Sequence, residues 1–206
     1  MRLLEARSVD TASRVNFSRR MVLVGGVACA AGWHASGSYA QSSERAPEDV
    51  QRRLPTATLL GRGMLRFLGL EIYEAVLWAE RSFEGSRYAA HAFALELRYA
   101  RGLYGNLIAE RSLKEMERSG PISAAERDRW LAFMRKTFPD VSAGDRITGF
   151  WRPKDESSEF VVVERGVAKS AVLVDREFGE RFFGIWLAPT TSEPALRQTL
   201  LGTKAA

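Results

Sequence analysis

The chain has 206 residues, 30 basic and 25 acidic side chains, a net charge of +5, one cysteine and two histidines. A single cysteine excludes an intrachain disulfide framework and a multi-cysteine metal site. The length fits one domain with a substantial core, together with a short leader.

Residues 18–40 have the features of an export signal. Arg19-Arg20 precedes a short apolar run, Met21 to Ala31, and the segment ends on a small-x-Ala pattern at Ala40. A basic start, a short apolar centre and a small-residue end are typical of such signals, and the run is shorter than the about 20 residues that a bilayer-spanning helix needs. The paired arginines indicate the twin-arginine route. We expect residues 1–40 to be removed after Ala40, which predicts a periplasmic protein.

Two other interpretations of this segment stay open. The apolar run could be part of a core or amphipathic element. Alternatively, Cys29 could be acylated after Val27-Ala28 in a lipoprotein, although Gly26 stands where a larger aliphatic residue is usual.

Removal of the leader would change the chemistry of the chain. Cys29 and His34 lie inside it, so the mature chain would keep one imidazole, His91, and no thiol. A Ser-His-Asp triad would then have to use His91. Residues 41–206 carry 25 basic and 23 acidic side chains, a net of +2, so most of the basic excess lies in the leader. This balance argues against a nucleic-acid partner, which favours a basic face.

The remaining chain divides into an arm and a domain. Residues 41–53 are polar and charged and predict a flexible N-terminal arm, and residues 54–203 predict one domain. Thr56 to Ala79 predicts two strands separated at Gly69. The second of these strands is apolar on both faces, which predicts that it is covered on both sides.

After the third strand, the spacing of the apolar residues changes from that of a strand to that of a helix. Ala92 to Tyr99 predicts a third strand, followed by a helix over Leu103 to Ser119. A capping box at Ser123 and Glu126 starts the next helix. We interpret the aromatic stripe of this helix as part of the core rather than as a surface that binds a cofactor. The remaining predicted elements are a strand over Asp145 to Trp151, a hairpin of Glu159 to Glu164 with Val167 to Val174, a short helix over Glu177 to Phe183 capped by Asp175, and a last helix after Thr191-Ser192. Helices bunched in sequence favour an α+β fold with helices on one face of a largely antiparallel sheet.

Few residues in the domain could carry chemistry. Phosphate-binding loops, paired metal ligands and nucleophile-elbow serines are missing from the sequence, so we predict no cofactor and no metal. Arg66 lies mid-strand among apolar residues and either reaches water or binds an anion in a pocket. Tyr73, Tyr99 and Tyr104 either pack as rings or present hydroxyls to a ligand. His91 is interpreted as a surface loop residue.

Several segments together resemble the chalcone isomerase-like family, and in particular its exported bacterial branch. These are the Gly61-Arg62-Gly63 strand with its continuation to Trp78, the Glu110 to Met116 helix, the Phe138 to Asp145 turn and the Phe182 to Leu187 stretch with residues 192–201. The resemblance covers residues 54–201. It implies an open-faced β-sandwich, in which a long antiparallel sheet and a layer of helices enclose an apolar cleft.

The resemblance also implies where a ligand would bind. Plant members convert chalcones to flavanones, and other members bind fatty acids without catalysis. In the fatty-acid-binding members an arginine and a tyrosine hold the carboxylate of the ligand. The arginine position falls at Leu65 or Arg66, and a slip of one residue on a strand reverses the face. Tyr73 stands near the next ligand position, and Asp175 near a late serine or threonine of the enzymes.

The leader and the family resemblance together predict a non-catalytic, exported protein that binds an apolar or fatty-acid-like molecule. The predicted ligand-binding residues are Arg66, Tyr73 and Tyr99. The alternative is an intramolecular lyase of the chalcone-to-flavanone type. It is disfavoured because Tyr73 stands where the enzymes have a threonine and Asp175 stands near their late serine or threonine. No membrane span is predicted for the mature chain.

Overall fold

A computed structural model describes residues 44–202, and the predicted leader with its cleavage site lies outside the described residues. Six strands form one antiparallel sheet in which each strand pairs with the next along the chain. The strands are β1 (Thr58–Phe67), β2 (Leu70–Ala79), β3 (Phe93–Tyr99), β4 (Arg146–Arg152), β5 (Ser157–Glu164) and β6 (Val167–Val174). The helices are α1 (Glu48–Arg53), α2 (Gly105–Met116), α3 (Ala124–Thr137), α4 (Arg176–Leu187) and α5 (Pro194–Leu200). The predicted α+β class, with a helix layer on one face of the sheet, is confirmed.

The main core lies between the sheet and helices α2 to α5. Alternate residues of β2, such as Ala75 and Leu77, pack there with buried aromatic rings, including Trp130, Phe178 and Phe183. Each large side chain removed from water stabilises the fold by about 1.5–3 kcal/mol. The stripe on α3 belongs to this core, as predicted.

The Gly61-x-Gly63 pattern has a steric cause. Both glycines are on the helix-facing side of β1, where α5 packs against the strand. A Cβ on Gly61 would collide with the backbone oxygen of Thr199, and one on Gly63 would meet the Leu196 side chain at 2.6 Å. The two glycines therefore let α5 approach the edge of the sheet.

Two helix starts follow the sequence signals. The Ser123 hydroxyl accepts from the backbone N–H of Glu126, and the Glu126 carboxylate accepts from the N–H of Ser123, which completes the capping box. Asp175 accepts from the backbone N–H of Phe178 at 3.0 Å and begins α4. Both caps satisfy donors that a helix start leaves free.

The second face of β2 is covered, as its two-sided apolar pattern predicts, but part of the cover is a helix that the sequence reasoning missed. Residues 48–53, expected within a flexible arm, form α1, whose Val50 is buried against Val76 and Trp78. Asp49 of α1 accepts from Arg146 of β4 at 2.9 Å. The prediction of a loose arm is therefore wrong for these residues. A short helix with a single apolar side chain has no periodicity to detect, and contacts with the distant strands hold it in place.

A buried charge network lies on this same second face. Glu96 is 1% exposed and accepts from Trp78 Nε1 at 2.8 Å and from Arg98 Nε at 2.9 Å. Burial would lower the pKa of Arg98, but its hydrogen bonds and ion pairs with Glu96 and Glu44 outweigh burial and raise it. The network is thus a set of satisfied charges on the sheet face opposite the main core.

Candidate ligand-binding cavity

A cavity of about 580 Å³ lies between the sheet and the helix layer, within the range of roughly 300–1,000 Å³ that ligand pockets occupy. Strands β1 to β4 supply one wall and helices α2 and α4 supply the other. Most lining residues are apolar, including Leu97, Ile147 and Phe182. The helix layer therefore leaves an unfilled apolar space at this end of the sheet.

Tyr73 and Tyr99 lie side by side on the sheet wall of the cavity. They are direct partners in the pairing of β2 with β3. Their rings meet edge to face, with centroids 5.9 Å apart and an interplanar angle of 74°. Adjacent antiparallel strands carry directly opposed residues on one face, so the register alone brings both phenols to the same wall.

The two phenols are neutral hydrogen-bond donors. Burial raises the pKa of Tyr73, which a hydrogen bond from Trp186 offsets only in part, and burial with the neighbouring Tyr73 raises the pKa of Tyr99. The Tyr73 hydroxyl accepts from Trp186 Nε1 at 3.0 Å. Within residues 44–202 no group accepts the proton of either hydroxyl. Both O–H groups can therefore donate to an oxygen placed inside the cavity.

Trp186 is a cavity residue that the sequence reasoning missed. It belongs to α4, which runs to Leu187 rather than ending at the predicted Phe183. The spacing of Phe182, Phe183, Trp186 and Leu187 is helical and could have predicted this extension. Packing of these four buried side chains outweighs the low helix propensity of one glycine.

The pairing of β1 with β2 is irregular beside Arg66, where Ile72 of β2 is the extra residue. The pairing shifts between Leu65 and Arg66, so Leu65 is opposite Tyr73 and Arg66 is opposite Glu71. A bulge inserts one extra residue and redirects the side chains beside it. Both Leu65 and Arg66 line the cavity.

Arg66 lies at the mouth rather than in the interior of the cavity. Its guanidinium is 2.6 Å from a Glu71 carboxylate oxygen, and the two side chains are 58% and 51% exposed. Arg66, Tyr73 and Tyr99 thus line one cavity, with the cation at its edge and the phenols inside. Their role in binding stays a prediction.

Two further arginines line the cavity and were not singled out from the sequence. Arg111 of α2 is 2.6 Å from Glu115, which also lines the cavity. Arg101 follows β3, is exposed and has no ion-pair partner among the described residues 44–202. Neither arginine stands in an unusual sequence context, so only the fold brings them to this opening.

Other sequence candidates lie elsewhere. Asp175 accepts from Trp130 Nε1 at 2.9 Å and from Arg129 at 2.6 Å, and it is not among the cavity residues. Burial alone would raise its pKa, but these bonds and the bond from Phe178 outweigh burial and lower it. His91 packs beside Phe83 outside the cavity, with ring centroids 5.5 Å apart. The anion expected near a ligand position is therefore structural.

The part of the chain that the structure describes has no cluster of three metal-ligating side chains. None of the helices in residues 44–202 combines the length and apolar character required to cross a bilayer.

Comparisons with known proteins give stronger evidence for the fold of this protein than for its membership of a sequence family. No family model matches the chain. An uncharacterized protein of Haemophilus influenzae is 31% identical over 113 residues, which are 52% of this chain and 50% of that protein. The chain thus spans about half the length of the curated relative that it matches.

A solved structure shares the architecture. The fatty-acid binding protein of Arabidopsis thaliana superposes with a TM-score of 0.51 at 12% identity, over 71% of this chain and 87% of that one. At this identity the likeness shows the fold alone. The open-faced sandwich that the sequence resemblance implied is therefore confirmed as the fold of this protein.

Proposed function

We propose that this protein is a non-catalytic binding protein that holds a fatty acid or a similar apolar molecule between its sheet and its helices. The observation that carries the proposal is the apolar cavity of about 580 Å³, which opens to solvent beside exposed residues of β1 and α2. A folded protein that keeps such a space gives up packing and apolar burial there. Occupancy by an apolar ligand would restore both.

The polar groups of the cavity suit a ligand with one oxygen-bearing end. Tyr73 and Tyr99 offer buried O–H donors, whereas Arg66 offers a cation at the mouth. A carboxylate bound between them would receive a neutral bond from a phenol and a charge-assisted bond from the guanidinium. Glu71 would compete for Arg66, since the two already form an ion pair.

The alternative function is an intramolecular lyase that closes a ring by adding a phenolate to an enone. The same two phenols favour it, because donors aimed at a developing enolate are the main requirement of that reaction. In the described chain the cavity lining carries no imidazole, and its carboxylates, Glu115 and Glu193, come from the helix layer and the loop before α5. We place binding first, since binding needs only the space and one oxygen-specific contact.

We further propose that the protein belongs to the exported branch of the chalcone isomerase-like family and acts in the periplasm after removal of residues 1–40. The basic, apolar and small-residue segments of the leader support this location. Fractionation of the producing cells with mass determination of the N-terminus tests it. A mature chain beginning at Gln41 is expected, and retention of the leader on a cytoplasmic protein would contradict the proposal.

Native mass spectrometry of protein recovered from its own cells tests the binding function. We expect an adduct with the mass of a fatty acid or related lipid, lost on organic extraction. Displacement of a fluorescent fatty acid by saturated acids of increasing chain length then measures the size of the site. Failure to bind any of them, together with turnover of a chalcone followed by absorbance, would reverse the order of the two functions.

A cavity-blocking variant separates specific from adventitious binding. Ile108→Trp adds a large ring to a half-buried cavity residue of α2, and Lys114→Trp adds the same ring to an exposed residue of α2 outside the cavity. Only the first should abolish displacement of the probe. Equal binding by both variants would place the ligand elsewhere.

A further inference from the structure

We propose that the mouth of the cavity docks on the surface of a lipid bilayer, with the β1–β2 hairpin tip inserted among the lipids. The proposal concerns where the protein meets its ligand, and the docking itself does not depend on the identity of that ligand. It rests on an exposed apolar rim, on an unfavourable turn residue at its apex and on the charges around it.

Four apolar or aromatic side chains line the cavity and are nevertheless more than half exposed. They are Phe67 at 62%, Leu70 at 52%, Tyr104 at 66% and Leu107 at 53%. Residues that both line a cavity and face solvent define its opening. The rim combines a strand end, a strand start, a loop and a helix, so separate parts of the chain converge on one apolar patch.

The apex of this rim is Leu68, which is 85% exposed. Leu68 and Gly69 form the two-residue loop between the paired Phe67 and Leu70, with φ angles of 50° and 77°. Two positive φ angles define a turn that strongly prefers Asn-Gly or Asp-Gly, because a leucine is disfavoured in the left-handed region. Leucine at this point gains no packing in the described chain and loses the local preference. A hydrophobic surface that covers the tip would give this side chain a role.

Three exposed arginines surround the apolar opening, and two of them also pair with acids. Among the cavity-lining residues the exposed charged side chains are Arg66, Arg101, Arg111 and a single acid, Glu193. Arg66 pairs with the exposed Glu71 and Arg111 pairs with Glu115, whereas Arg101 has no ion-pair partner among residues 44–202. Arginine next to an apolar tip can keep its head at the lipid phosphates while its stem stays in the apolar layer. We therefore choose an anionic bilayer as the occupant, ahead of a second copy or a protein partner.

Flotation with large unilamellar vesicles tests the docking. The protein is used in the processed form recovered from its cells, with vesicles of phosphatidylcholine alone or mixed with phosphatidylglycerol. We expect association with both, stronger for the anionic mixture and weakened by salt in that mixture only. Absence of association with either composition would overturn the proposal.

Leu68→Asn is the decisive variant. Asparagine suits the left-handed turn, so the melting temperature should stay the same or rise, whereas vesicle affinity should fall roughly tenfold or more with the loss of one buried leucine. Val167→Asn is the matched control, since Val167 is 61% exposed beside the turn of the β5–β6 hairpin and outside the cavity rim. Unchanged affinity of the Leu68 variant, or an equal loss in the control, would refute tip insertion.

A second measurement covers the case in which Leu68→Asn perturbs folding. An environment-sensitive dye on Leu68→Cys should shift to the blue on addition of vesicles, whereas the same dye on Val167→Cys should not. Cys29→Ser is added if the leader is retained. Blue shifts at both sites, or at neither, would overturn the proposal.

Sedimentation and ligand binding separate the other outcomes. A wild-type dimer that Leu68→Asn dissociates, without vesicle binding, would assign the rim to a second copy of the chain and overturn bilayer docking. Fatty-acid displacement is measured without vesicles, so loss of ligand binding with intact docking would contradict only the proposed function. The reverse result would contradict only the docking.

Discussion

Trp186 Nε1 donates to the hydroxyl of Tyr73 at 3.0 Å, which joins α4 to β2 across one end of the cavity. The bond joins a buried indole to a partly buried phenol, and it uses one acceptor site of the hydroxyl while leaving its proton free. A single contact thus links the stability of the helix layer to the donor that we assign to the ligand. The following predictions separate these two roles.

Trp186→Phe should leave the Tyr73 hydroxyl buried without this partner. We expect a loss of about 1–3 kcal/mol in the free energy of unfolding from the lost bond and the smaller ring, measured by urea denaturation. Tyr73→Phe should cost a similar amount, since it leaves the indole N–H unpaired. In the double variant the two losses should be less than additive. Strict additivity would mean that the bond contributes nothing.

Arg66 should act on the charge of the ligand and hardly on stability. Arg66→Gln removes an ion pair whose partners are both more than half exposed, so the free energy of unfolding should change by no more than about 1 kcal/mol. Affinity for a fatty acid should fall, while affinity for the fatty alcohol of the same length should stay constant. Arg101→Gln, tested in parallel, identifies the cation if Arg66→Gln has no effect on the acid.

Glu71→Gln is the converse change. It frees the Arg66 guanidinium from its competitor, so affinity for the fatty acid should rise and affinity for the alcohol should not. Isothermal titration calorimetry at low ionic strength measures both. Weaker binding of the acid would argue that Glu71 orients Arg66 rather than competing for it.

The buried network on the opposite face should matter for folding alone. Glu96→Gln removes the charge that Arg98 and Arg146 share at 2.9 Å and 3.7 Å. Leaving these two half-buried cations partly uncompensated should cost about 1–3 kcal/mol in the free energy of unfolding. Fatty-acid affinity of the folded fraction should be unchanged. A change in that affinity would show that the two faces of the sheet are coupled.

Asp175 predicts a specific pH dependence. Its pKa is lowered from the ordinary value of 3.8, so its contribution to stability is complete above that value and is lost as the pH falls through the lower folded pKa. At neutral pH, Asp175→Ala should cost about 1–3 kcal/mol through the lost helix cap and the unpaired Trp130. The gap between wild type and variant, measured by urea denaturation, should narrow below about pH 4. A gap that stays constant down to pH 2 or so would contradict a role for the charge.

The sequence by itself determined most of the elements and the fold class. Strong local signals, such as the capping box at Ser123 and Glu126 or the two-sided apolar pattern of β2, depend on neighbouring residues and survive without tertiary context. The Gly61-x-Gly63 pattern could also be recognised in the sequence, although the packing of α5 that requires it could not be predicted. Helix α1 and the end of α4 escaped because burial against distant strands, rather than local pattern, stabilises them.

The site was decided by tertiary structure. Tyr73 and Tyr99 are 26 positions apart and meet through strand register, and the irregular pairing of β1 with β2 sets Arg66 opposite Glu71. Trp186, Arg101 and the exposed rim around Leu68 reach the same opening from parts of the chain that share no sequence signal. A sequence pattern records which residues prefer to be buried. Which of them leave a space unfilled depends on how whole elements pack, and that is a property of the folded chain alone.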